Sequence, residues 1–164
     1  VLEELRGNIR WKAVVSGWIV AILTGIVVNA AFWIAHRWLF VGTPPEYDTT
    51  ALITISLISG FLAHFVGGYV AGRKSGVAGG LNGAMVALLG TAALVFSVVL
   101  IPAIIIATAG AILVGGIEVP AVTDEFARGL LLTLLALFLL NLAGGFSGGR
   151  LGEWEFHPTR KRGR

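Results

Sequence analysis

The sequence predicts an all-α fold, a polytopic transmembrane four-helix bundle built as two tandem helical hairpins. Three observations carry this expectation. The 164 residues are 56% hydrophobic and 13% charged, whereas a soluble domain carries about 25% charged residues. Mean hydropathy is +0.87. Residues 13–149 hold nine charges (Arg37, Glu46, Asp48, Arg73, Lys74, Glu118, Asp124, Glu125 and Arg128) in short clusters, and the uncharged runs between them are long enough to be read as membrane spans. Finally, GGYVAGR at 67–73 returns as GGFSGGR at 144–150.

Residues 1–12 form a short lead-in with Arg6, Arg10 and Lys12. The first span is expected at 13–36. Ala13, Gly17, Ala21 and Gly25 recur every fourth residue there, and Asn29 continues the row. Such a small-residue stripe lets a second backbone approach closely. Trp11 and Trp18 stand at one end of this span and Trp33 and Trp38 at the other, as expected of interfacial aromatic belts. The run is about twice the length of a signal-peptide core, so it reads as a retained span.

The polar stretch GTPPEYDTT at 42–50 breaks helix at its two prolines. A second span follows at 51–72, then a turn carrying Arg73 and Lys74. A third span is expected at 80–101. Apolar character then continues through 103–116, AIIIATAGAILVGG, beyond Pro102. One helix over 80–117 would measure ~57 Å at 1.5 Å per residue, nearly twice the ~30 Å hydrocarbon core. A kinked continuation, a re-entrant or interfacial element and a fifth span are the three readings, and a break near Pro102 with an apolar outer segment is favoured. The acidic stretch EVPAVTDE at 118–125 precedes a fourth, leucine-rich span at 126–149, and 150–164 is a charged tail. The whole chain reads as one integral membrane domain.

The lead-in, the 73–74 turn and the tail supply ten of the twelve Lys and Arg. Lys/Arg bias sets topology, so both termini and the central turn are expected in the cytoplasm of a multi-pass protein of the cell inner (plasma) membrane. An even number of spans follows, and four fits. Arg73, Lys74, Arg150, Arg160, Lys161 and Arg162 are the candidate contacts to lipid headgroups and the markers of topology. The net charge of +3 is spent on this pattern, and no nucleic-acid partner is expected.

Each half would run inward to outward and back, so the halves share one topology and form a parallel pseudo-repeat. Gly67, Gly68, Gly72 and Arg73 match Gly144, Gly145, Gly149 and Arg150; Tyr69 matches Phe146, and His64 falls on Asn141. Gly68 with Gly72, and Gly145 with Gly149, are G-x-x-x-G pairs that flatten one helix face for packing. Gly17, Ala21 and Gly25 complete the helix-packing set. Arg73 and Arg150 are expected at helix C-termini, where a cation complements the helix dipole.

Four polar residues, Asn29, His64, Asn82 and Asn141, are placed inside the membrane. No Asp, Glu, Lys or Arg falls in a span centre, where ion-coupled transporters keep an ionisable group. His64 is read as a neutral ring bonded to an Asn or a backbone carbonyl, in preference to a proton relay or haem ligand. Glu153, Glu155 and His157 resemble a metal site only weakly. Cys is absent, which excludes disulfides and thiolate sites. No nucleophile–base set, Walker loop, dinucleotide fingerprint or zinc spacing is present. An enzyme, a metal and a cofactor are therefore not expected.

Over GGYVAGRKSGVAGGLNGAMVALLG the chain resembles small bacterial and archaeal integral membrane proteins of unknown function. These are four-span proteins with a G-G-x-x-A-G-x turn before a G-G-x-x-G-A helix start. The resemblance is carried by that short stretch, 67–90, and the class would carry His where Asn82 stands. It implies fold and location only.

The functional expectation is a structural or accessory subunit, a glycine-rich bundle that self-associates or joins other membrane subunits, with the lipid bilayer as its surroundings. The alternative is a small homo-oligomeric transporter or channel with Asn29, His64, Asn82 and Asn141 lining a polar path.

Overall fold

A computed structural model describes residues 7–39, 49–100 and 124–156. They form helices α1 (Trp11–Leu39), α2 (Thr49–Ser75), α3 (Gly79–Val95) and α4 (Asp124–Phe156), with a single π-helical turn, Phe96–Leu100, continuing α3. There is no strand among the described residues. The expected all-α bundle is the observed fold. Three stretches are long and apolar enough to cross a membrane: Trp11–Trp38, Ile53–Ser75 and Leu131–Glu155. Gly79–Val95 is shorter, 17 residues, at the lower edge of the ~17–25 residues that span a bilayer.

Two boundaries differ from expectation. The last helix does not stop near Gly149; it runs to Phe156, where Gly152 still packs on Tyr69 and Arg73 of α2 and Glu153 and Glu155 bond to Gly79 and Tyr69. Arg150 therefore lies inside α4, away from its C-terminus. The regular part of α3 ends at Val95, before the expected 101. The π-turn that follows stands just ahead of Pro102, a residue that removes one helical hydrogen bond and clashes with the carbonyl four residues back. The stretch 103–116 and the tail 157–164 lie outside the described residues, as does the 40–48 connection.

Close contacts fix the register. Gly17 of α1 lies against Gly67 and Ala71 of α2, and Gly25 against Ala63, so α1 and α2 are antiparallel. Gly83 of α3 lies against Gly145 and Gly149 of α4, so these are antiparallel too. Gly68 meets Gly145 and Gly72 meets Gly149, which makes α2 and α4 parallel. Two of the three glycine pairs related by the repeat are thus in contact, while Gly67 packs on α1 and Gly144 on Phe61. Gly17 between Gly67 and Ala71 is echoed by Gly83 between Gly145 and Gly149. The chain joining the contacting glycines is longer in the second half, from Gly83 to Gly145, than in the first, from Gly17 to Gly67.

The core sits at one end, the end where α1 begins and α2 and α4 finish. Buried residues are Ala13, Val14, Gly17 and Ala21 in α1, six between Ser59 and Gly72 in α2, six between Gly79 and Ala87 in α3, and six between Asn141 and Gly152 in α4. Val14, Ala21, Ala71 and Val86 form its apolar centre, with Ile9, Trp18, Met85 and Leu89 packed around them. Apolar burial drives little association within lipid, and close backbone packing takes its place. That is why so much of the core is Gly or Ala.

Candidate functional site

The helix-packing residues converge on a junction of α2, α3 and α4. A methyl group on Gly72 or Gly149 would strike the backbone of another helix well under 3.0 Å, as would one on Gly68, Gly83 or Gly145. These are backbone-on-backbone contacts, and no side-chain rotation relieves them. The neighbouring stripe Gly144, Gly148 and Gly152 rests on the carbonyl oxygens of Phe61, Phe65 and Tyr69. Gly17 and Ala21 pack on Gly67 in the same manner. All the small-residue stripes foreseen in the sequence are therefore used inside one chain.

Polar groups lock this junction. The turn after α2 passes through Gly76 (φ 67°) and Ala78 (φ 48°), both left-handed, a conformation unfavourable for Ala by about 1–2 kcal/mol. Asn82, fully buried, holds it. Its Nδ2 donates to the Val77 and Ala78 carbonyls (both 3.1 Å) and to the Asn8 carbonyl (3.0 Å), while its Oδ1 accepts from the Arg10 N–H (2.7 Å). Asn82 thus ties the chain before α1 to the α2–α3 turn. Hydropathy puts it within the membrane; its partners put it at the basic end of the bundle, as a clamp.

Ala78 has no side chain able to cap α3. The cap comes from α4 instead, where the Glu153 carboxylate accepts from the Gly79 N–H at 2.6 Å. A carboxylate at a helix N-terminus satisfies an otherwise unpaired donor and complements the dipole. Sequence reasoning misses this role, although a signal for it exists: Asn141, Gly145, Gly149 and Glu153 are spaced by four and form one face. Glu155 accepts a hydrogen bond from the Tyr69 hydroxyl at 2.6 Å. Both carboxylates thus bond to neighbouring helices, while His157 is outside the described residues. Among the described residues no three His, Asp or Glu side chains gather in a metal-binding group.

A second polar group lies deeper. His64 Nδ1 is 2.8 Å from the Gly60 carbonyl. A carbonyl only accepts, so the ring proton is on Nδ1. Nε2 then faces α3, where it would be 3.0 Å from a methyl on Gly90; the Trp18 Nε1 would be 3.6 Å from the same point. Asn141 comes from the other side, its Oδ1 2.6 Å from where a Gly60 methyl would stand. His64 and Asn141 thus bracket Gly60 rather than bond to each other. Asn141 Oδ1 and Ser59 Oγ are buried without a hydrogen-bond partner. Nothing in the sequence singles out Ser59. Asn29 is half-buried on α1, and one turn beyond the Gly25–Ala63 contact puts it level with Ser59.

The four polar residues lie at successive levels along the helices. Asn82 is at the clamped end, His64 and Asn141 are near mid-helix, and Asn29 is beyond them. Of the cationic set, Arg73, Lys74 and Arg150 are exposed, and Arg160, Lys161 and Arg162 lie outside the described residues. Compared with known proteins, the chain matches no family model, no curated protein and no solved structure.

Proposed function

We propose that this chain is a small structural or accessory subunit of the cell inner membrane, crossing it four times with both termini in the cytoplasm. The observation that carries the reading is the closed end of the bundle. Gly68, Gly72, Gly83, Gly145 and Gly149 press backbone on backbone, and the side chains of Val14, Val86 and Asn82 are fully buried at the same end. Such an arrangement leaves no lumen through the single chain at that end. Its polar groups are spent on joining helices, which is scaffold chemistry. The fourth crossing is α3 together with its π-turn, from Gly79 to Leu100. The basic residues at the clamped end support the cytoplasmic placement.

Large apolar side chains are exposed on the other half: Ile22, Leu23, Ile26, Val27 and Ile34 on α1, and Leu131, Leu132, Leu134 and Leu135 on α4. Lipid or other subunits cover them. Because the small-residue faces at Gly17, Ala21 and Gly25, at Gly68 and Gly72, and at Gly145 and Gly149 are occupied within the chain, these large side chains are the surface we assign to a partner. Native mass spectrometry of the protein gently extracted from its own membrane tests the reading. A mass containing a second polypeptide, or a homo-oligomer without transport activity, supports it.

The orphaned Ser59 Oγ and Asn141 Oδ1 favour one other reading, a homo-oligomeric transporter or channel. Flux in proteoliposomes that is lost on His64→Ala or Asn141→Leu, with the bundle still folded, would establish that alternative and displace the first.

A further inference from the structure

Arg10, Lys12, Ala13, Lys74 and Ser75 line a cavity of about 490 Å³ where α1 begins and α2 ends. We propose that it is a binding site for one anionic phospholipid headgroup carrying more than one negative charge. The proposal rests on the bundle being embedded in a membrane, not on its role as a subunit.

Four features point the same way. First, the cavity gathers three cations from two separate parts of the chain, the start of α1 and the end of α2, and has no acidic lining residue among the described residues. The nearby carboxylates Glu153 and Glu155 bond to the Gly79 N–H and the Tyr69 hydroxyl. Second, its depth suits a lipid. One membrane-crossing stretch begins at Trp11 and another ends at Ser75, so the cavity opens where headgroups lie. Trp11, 56% exposed, stands beside it as an interfacial side chain. Third, part of its frame, the Arg10 backbone and the Ser75 hydroxyl, is held before any ligand arrives. The Arg10 N–H is held by fully buried Asn82, and Ser75 Oγ donates to the Gly72 carbonyl at 2.9 Å. Preorganisation reduces the entropic cost of binding. Fourth, the first turn of α1 forms part of the wall, and a helix N-terminus favours negative charge. The size falls within the roughly 300–1,000 Å³ of ligand sites. Three cations exceed what a single phosphodiester needs, which selects a headgroup with two phosphates or a phosphomonoester.

The test is native mass spectrometry of the purified protein titrated with tetraoleoyl cardiolipin. One tightly bound lipid is expected, not displaced by phosphatidylcholine or by millimolar inorganic phosphate. Lys12→Gln and Lys74→Gln should each weaken binding about fivefold, since a basic residue near an anionic surface is worth ~1 kcal/mol, and the double variant about 25-fold. The conservative pair Lys12→Arg and Lys74→Arg should retain binding, and Arg37→Gln at the far end should leave it unchanged. The thermal melt of each variant without lipid checks that it is folded. Equal binding of phosphatidylcholine, or undiminished binding by a folded Lys12→Gln/Lys74→Gln variant, overturns the proposal. Displacement by inorganic phosphate alone overturns the lipid assignment in favour of a soluble anion.

Discussion

The two ends of this bundle obey different rules. At the basic end all four helices touch through glycine backbones, and buried Asn82 and half-buried Glu153 join elements far apart in the chain. At the other end no described residue of α1 beyond Ala21, of α3 beyond Ala87 or of α4 before Asn141 is buried. The change occurs within the same helices, so helix formation cannot explain it. Composition does. The closed half is written in Gly and Ala, and the open half in Leu, Ile and Val. Small residues allow contact between neighbouring backbones; large ones hold them apart and present themselves to lipid.

Substitutions that treat both ends alike should separate them. The largest effect is expected for Gly149→Leu, because its side chain would enter the backbones of Gly79 and Gly83. Overpacking a tight core costs about 1–3 kcal/mol or more, and contact with backbone puts this site at the top of that range. Insertion should persist while the thermal melt in detergent is lost. The same change at Gly129, which has nothing within 4 Å, should alter stability by about 0.5 kcal/mol or less. Equal losses at the two sites would erase the distinction between the ends.

Next in size is Asn82→Ala. It removes the acceptor of the Arg10 N–H and one donor from each of three carbonyls, of which that of Ala78 keeps the residue-82 N–H, and a buried unpaired group costs about 1–3 kcal/mol. Hydrogen exchange should quicken at Arg10 and in the 76–79 turn while α4 near Gly129 is unchanged. Glu153→Ala removes the cap on α3 and should cost ~1 kcal/mol, read as a lower melting temperature. The smallest effect is a gain. Ala78→Gly relieves a left-handed alanine, φ 48°, and should stabilise the closed end by about 1 kcal/mol. A loss there would mean that the turn depends on the alanine methyl in some further way.

The helices and their packing faces are legible in the sequence because lipid imposes long uncharged runs and small-residue spacing. The G-x-x-x-G pairs at 68/72 and 145/149 read as packing faces; that they face each other does not, since spacing names a face and not its partner. The clamping role of Asn82 is hidden for a related reason. Hydropathy assigns depth by neighbours in sequence, and Asn82 has apolar neighbours, yet its amide is satisfied by Asn8 and Arg10 from the far side of the first hairpin. His64 is expected to bond to an Asn or a carbonyl, and the carbonyl, that of Gly60, is its partner. The closeness of the orphaned Asn141 to Gly60 depends on the direct, parallel contact of α2 with α4, which no local signal encodes.

That alignment also sets a timetable for biogenesis. The face of α2 bearing Gly68 and Gly72 is complete long before its counterpart on α4 exists. At ~5–20 residues per second, synthesis of the chain from Arg73 to Gly149 imposes a wait of roughly 4–15 s. Throughout that interval the nascent first hairpin shows the translocon and surrounding lipid a bare glycine surface. Premature pairing with another chain's glycine face is the natural error of such a protein, and prompt arrival of the second hairpin is what prevents it.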